Sequence, residues 1–134
     1  MHSSAFFTFF TFLFLASLSA ARIVGISAPA SVFPGKKFNV VFQTENYIQN
    51  WSDESVILGI RKGDLKTCDT CLGAPLAYLD LHAQGHYNTG HGNFTESISI
   101  KEPGSYVIAA AVTSIFGASE EVAVHFQTTA IHVR

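Results

Sequence analysis

Pro103-Gly104-Ser105-Tyr106-Val107-Ile108-Ala109-Ala110-Ala111-Val112 is a turn that runs directly into a strand. Pro and Gly set the turn, and Tyr106, Ile108, Ala110 and Val112 then recur at every second position, the spacing that places them on one face of extended chain. A tyrosine at this point of a β-sandwich often ties the turn to the backbone through its hydroxyl; the plainer alternative is a core tyrosine. Downstream, Val122, Val124 and Phe126 continue the apolar alternation, which then changes parity to Ile131 and Val133. A bulge near Thr128 to Ala130 would account for that change; without one the strand must end early.

Upstream segments repeat the pattern. Phe38, Val40 and Phe42 oppose Asn39, Gln43 and Glu45; Val56, Leu58 and Ile60 oppose Ser55 and Arg61; Phe94, Ile98 and Ile100 oppose Thr95, Ser97, Ser99 and Lys101. Pro34-Gly35, Gly63-Asp64 and Pro103-Gly104 interrupt the runs where turns are required. With no amphipathic helical period between them, about seven short strands predict an all-β, immunoglobulin-like antiparallel sandwich. Helix is expected to be at most a turn within Asp64 to Leu72.

The N-terminus is of another kind. Ala5 to Leu18 is uncharged and rich in Phe and Leu, and at about 14 residues it suits a secretory signal and falls short of the roughly 20 needed to span a bilayer. Residues 1–21 are therefore expected to form a signal peptide, cut after Ser19 or Ala21 to leave Ala20 or Arg22 first, although the leading Met1-His2-Ser3-Ser4 lacks the usual Lys or Arg. Six of the twelve Phe lie in this leader. What remains, residues 22–134, is enough for a single domain and is expected to be soluble and monomeric, with no membrane insertion. A net charge of −2 with scattered Lys and Arg offers no footprint for a phosphate backbone, which argues against nucleic-acid binding.

Few residues suggest chemistry. Cys68 and Cys71 are expected to close a small structural disulfide worth only about 2 kcal/mol by chain entropy. A redox role would need a lowered thiolate pKa in a strand-helix-strand setting, and two thiols alone cannot complete a zinc site. His82, His86 and His91 are a weak metal candidate, since the glycines between and beside them supply little ordered support; a solvated loop is the alternative, and no metal or cofactor is expected. A copper oxygenase built on a terminal histidine is excluded, because His2 leaves with the leader. No Gly-x-Ser-x-Gly elbow or phosphate-binding glycine loop occurs, and Asp53-Glu54 and Glu120-Glu121 look like solvated strand ends. The domain is expected to be non-enzymatic.

Asn50-Trp51-Ser52 and Asn93-Phe94-Thr95 satisfy the N-glycosylation pattern; Asn50, in a longer polar-aromatic loop, is the expected acceptor of the two. That loop, Asn46 to Trp51, holds the only Trp beside Tyr47 and Ile48, residue types that anchor protein interfaces when exposed. The alternative is that Tyr47 and Trp51 fold inward and cap the sandwich.

Several segments taken in order resemble a family of small secreted fungal proteins named for necrosis induction. These are Ile26-Ser27-Ala28-Pro29 leading to Phe33-Pro34-Gly35, then Glu45-Asn46-Tyr47-Ile48-Gln49, then Leu72-Gly73-Ala74 with Tyr78-Leu79, and Pro103-Gly104-Ser105-Tyr106 running to Ser114-Ile115-Phe116-Gly117-Ala118-Ser119. The resemblance implies an effector that suppresses pattern-triggered immunity by binding and inhibiting plant immune receptor-associated kinases, with necrosis on overproduction. It also implies that Ser105 to Arg134 carries much of the activity, which adds Tyr106 and Phe116 to Tyr47, Ile48 and Trp51 as candidate partner-binding positions. The interface is expected in the loops around Tyr47 to Trp51 or in the last two strands. Secretion is implied, with translocation into the host cytoplasm left open; a lone disulfide over a tiny loop would tolerate a reducing compartment. The competing reading is an apoplastic cell-wall glycan-binding module, with Tyr47, Trp51 or Tyr87 stacking on sugar rings.

Overall fold

The computed structural model describes residues 20–47, 50–65, 68–85 and 92–134, with the backbone alone at 20, 21 and 47. The described chain is all β, in eight strands: β1 (Ala20–Ser27), β2 (Ser31–Val32), β3 (Phe38–Tyr47), β4 (Trp51–Lys62), β5 (Ala74–Asp80), β6 (Phe94–Ile98), β7 (Gly104–Phe116) and β8 (Glu121–Val133). They form a three-stranded sheet in the order β1-β3-β6 and a five-stranded sheet in the order β2-β8-β7-β4-β5. All pairings are antiparallel except the short one between β2 and β8. This is the immunoglobulin-like sandwich that the apolar spacing predicts, with one strand more than expected because β2 is only two residues long. Among the described residues no helix is long and apolar enough to cross a membrane.

The core lies between the sheets. Phe38, Val40, Phe42, Phe94 and Ile98 face inward from one, and Val56, Leu58, Leu79, Ile108, Ala110 and Val112 from the other. Phe42 and Phe94 stack with centroids 4.8 Å apart. Tyr106 is buried, and its hydroxyl donates to the Glu102 carbonyl at 2.8 Å, closing the turn before β7 on itself.

β8 departs from expectation. It pairs with β7 in one unbroken register from Gly104↔Val133 to Phe116↔Glu121, with no bulge near Thr128 to Ala130. Residues of odd number therefore face the core along its whole length, among them buried Ile131 and Val133. Val122, Val124 and Phe126 point to the outer face, and Val122 and Val124 are 67% and 53% exposed. The parity change has a different cause: near the β7–β8 turn, the inner face of β8 meets a polar cluster.

Candidate interaction surface

That cluster is built around Asp53. A β4 irregularity between Asp53 and Ser55 leaves Asp53 opposite Ser114 on the inner face, and both side chains are buried. Asp53 Oδ2 accepts the Ile23 backbone N–H at 2.7 Å, while Oδ1 accepts the Trp51 indole N–H at 2.7 Å and the Ser114 hydroxyl at 2.5 Å. A carboxylate this far from water is tolerable because its oxygens are met by donors. The same contacts fasten β1 of one sheet to β4 and β7 of the other. Trp51 is enclosed by Phe116, stacked at 5.3 Å, by the Arg22 guanidinium 4.3 Å from the ring centroid, and by His125. His125 Nε2 lies 3.2 Å from the Ile23 carbonyl. Asp53 is thus a structural centre and not a solvated strand end.

Two candidate partner-binding residues are consequently turned inward. Trp51 caps the sandwich, the second of the two placements open to it, because its indole N–H is drawn to Asp53 and its ring fills the space beside Phe116. Tyr106 is spent on the turn before β7. Phe116 is half-buried against Trp51. The side chain of Tyr47, and Ile48 altogether, lie outside the described residues, as do His86, Tyr87, His91 and residues 1–19.

The outer face of the five-stranded sheet is different. Strand register places Tyr78, Ile57, Ala111 and Phe126 in one row across β5, β4, β7 and β8. Three inter-strand gaps give this row a span of about 14 Å. Ile115 and Val122 pair on the same face, next to Thr113 and Val124. Tyr78, Ile57, Val122 and Val124 are exposed, while Ala111 between them is buried and Phe126 half-buried; exposed apolar residues gathered on one sheet face are typical of an interaction site. Alternation in the sequence marks Val122, Val124 and Phe126 as strand; only register shows that they point away from the core.

The loop after β4 limits the patch. Cys68 and Cys71 are joined by a disulfide, and the Arg61 guanidinium donates to the carbonyls of Cys68 at 2.7 Å and Asp64 at 3.2 Å. The returning chain lies so close that a Cβ on Gly59 would run into the Leu72 carbonyl, and one on Gly73 into that of Ile60. Val107 and Ala109, which register with Arg61 and Gly59 on this outer face, are buried. One half of the face is therefore covered and the other open.

His82 follows β5 in a turn and contacts Glu54 through Nε2. Among the described residues no group of three or more His, Cys, Asp or Glu could hold a metal ion. Asn50 and Asn93 are both exposed.

A family model described as the Nis1 family matches residues 19–132. The chain belongs to the Nis1 family. Two curated relatives of this Nis1 member are both called necrosis-inducing secreted protein 1. The one from Colletotrichum orbiculare is 36% identical over 89% of this chain and 74% of its own length; the one from Colletotrichum higginsianum is 35% identical over 86% and 81%. Among solved structures, a superoxide reductase (neelaredoxin) from Ignicoccus hospitalis superposes with a TM-score of 0.55 at 13% identity, covering 90% of this chain and 86% of its own. The CARDB domain of the PF1109 protein from Pyrococcus furiosus gives 0.55 at 14%, covering 88% and 90%. At such low identity these two show the sandwich fold alone.

Proposed function

We propose that this Nis1 family member is a secreted, non-catalytic effector that induces necrosis when overproduced and suppresses plant immunity by binding and inhibiting immune receptor-associated kinases. Secretion and necrosis induction are what the names of both Colletotrichum relatives describe. The observation that carries the binding reading is the open half of the five-stranded sheet, where Tyr78, Ile57, Val122 and Val124 are exposed on paired strands. Two of its strands, β7 and β8, supply most of the C-terminal segment Ser105 to Arg134. The patch is chiefly aliphatic, which suits a protein partner better than sugar rings that stack on aromatic rows.

The test is capture of plant proteins by the mature domain, followed by phosphorylation assays on whatever kinase is enriched. Wild-type protein is expected to retain a receptor-associated kinase and lower its activity. A double variant, Val122→Asp with Val124→Asp, is expected to lose capture. Enrichment of no kinase, with phosphorylation unchanged, overturns the proposal.

A further inference from the structure

Of the two acceptor motifs for N-linked glycan, we propose that Asn93 is the one that carries it, and that Asn50 does not. Asn93 immediately precedes β6, an edge strand of the three-stranded sheet, and is exposed. Its Oδ1 accepts the Thr44 backbone N–H at 3.2 Å, and Thr44 Oγ1 donates to the Gly92 carbonyl at 2.5 Å. The first of these fixes the amide through its acceptor oxygen, which glycosylation leaves unchanged, and among the described residues Nδ2 makes no hydrogen bond. Phe94 is buried on Phe42 while Thr95, the hydroxyl residue of the motif, is exposed. A core Phe in the middle position is therefore no obstacle, because the strand turns Phe94 inward and its two neighbours outward.

Asn50 is placed the other way round. Its Nδ2, the atom a glycan would take, donates to the Gly117 carbonyl at 3.4 Å, and its own carbonyl accepts the Gly117 N–H at 2.9 Å. The next residue is the buried Trp51 that packs on Phe116 and Asp53. A glycan there would crowd the clamp that joins the start of β4 to the end of β7.

The transfer joins Nδ2 of Asn93 to the anomeric carbon of an oligosaccharide carried on a lipid pyrophosphate. The carbon–oxygen bond to phosphate breaks, the lipid pyrophosphate leaves with the electron pair, and the amide gives up one proton. A glycan at this point would shield the exposed edge of β6 from pairing with another chain and would leave the open patch of the opposite sheet clear.

The full chain, secreted from a fungal host, tests this directly. Enzymatic removal of N-glycan in heavy-oxygen water converts a glycosylated Asn into a labelled Asp that peptide mass spectrometry locates. The label is expected at position 93 and absent at 50. Thr95→Ala, which keeps Asn93 and its bond to Thr44, is expected to abolish the mobility shift on deglycosylation, and Asn50→Gln to preserve it. A label at 50, no label at either position in the wild-type protein, or a shift that survives in T95A would overturn the assignment.

Discussion

Asp53 ties the two layers together at one end of the sandwich. It stands between the Ile23 amide, the Trp51 indole and the Ser114 hydroxyl, and its removal takes the shared acceptor away from three donors in a buried site. Each buried unsatisfied group costs about 1–3 kcal/mol, so Asp53→Ala is expected to lower stability by about 3 kcal/mol or more. Urea unfolding followed by tryptophan emission would measure it, with the midpoint falling and the slope unchanged. Trp51 is the chain's only Trp, so the same signal reports the site: acrylamide should quench it weakly in the wild-type protein and strongly in the variant. A loss below about 1 kcal/mol, comparable to one ordinary hydrogen bond, would remove Asp53 from this role.

At the scale of elements, the loop after β4 and the strand β8 matter most. Gly59→Ala is expected to push the disulfide-bearing loop off the sheet, at about the 1–3 kcal/mol of an overpacked site, because the atom it would strike is a backbone carbonyl. Reduction of Cys68–Cys71 should be far milder, a fall of no more than a few degrees in Tm. The Arg61 bonds and the glycine contacts hold the loop apart from the disulfide; a larger fall on adding reductant would count against action inside a host cell. The β8 strand shows how far sequence reasoning reaches. Alternation identified Val122, Val124 and Phe126 as strand and grouped them with the apolar face of β7, but a period of two is the same for either face. Their outward direction follows from the register with β7 and from the Asp53 cluster, which draws His125 inward. That cluster joins residues 23, 53 and 114, and nothing local in the chain brings those positions together. Phe38, Val40 and Phe42, or Tyr106 with its turn, were legible because their partners are either apolar in general or a few residues away. The disulfide pair was legible for the same reason, being three residues apart.

At the scale of the whole molecule, the two sheets of the sandwich differ in what they expose. The three-stranded sheet supplies one side of the core and carries Asn93 beside its edge strand, while the five-stranded sheet presents an apolar outer face of which folding leaves half open. Val122 and Val124 contribute little to the core, so replacing both with Asp should change stability by no more than about 0.5 kcal/mol at each site. Loss of binding in that variant would then report the surface and not the fold. The most direct measurement is phosphorylation by a purified plant immune receptor-associated kinase domain titrated with wild-type protein and with the V122D/V124D variant, both shown to be folded. Dose-dependent inhibition by the wild-type protein, absent with the variant, is the predicted result; equal inhibition by both, or none by either, would contradict an effector that acts through the open face of the five-stranded sheet.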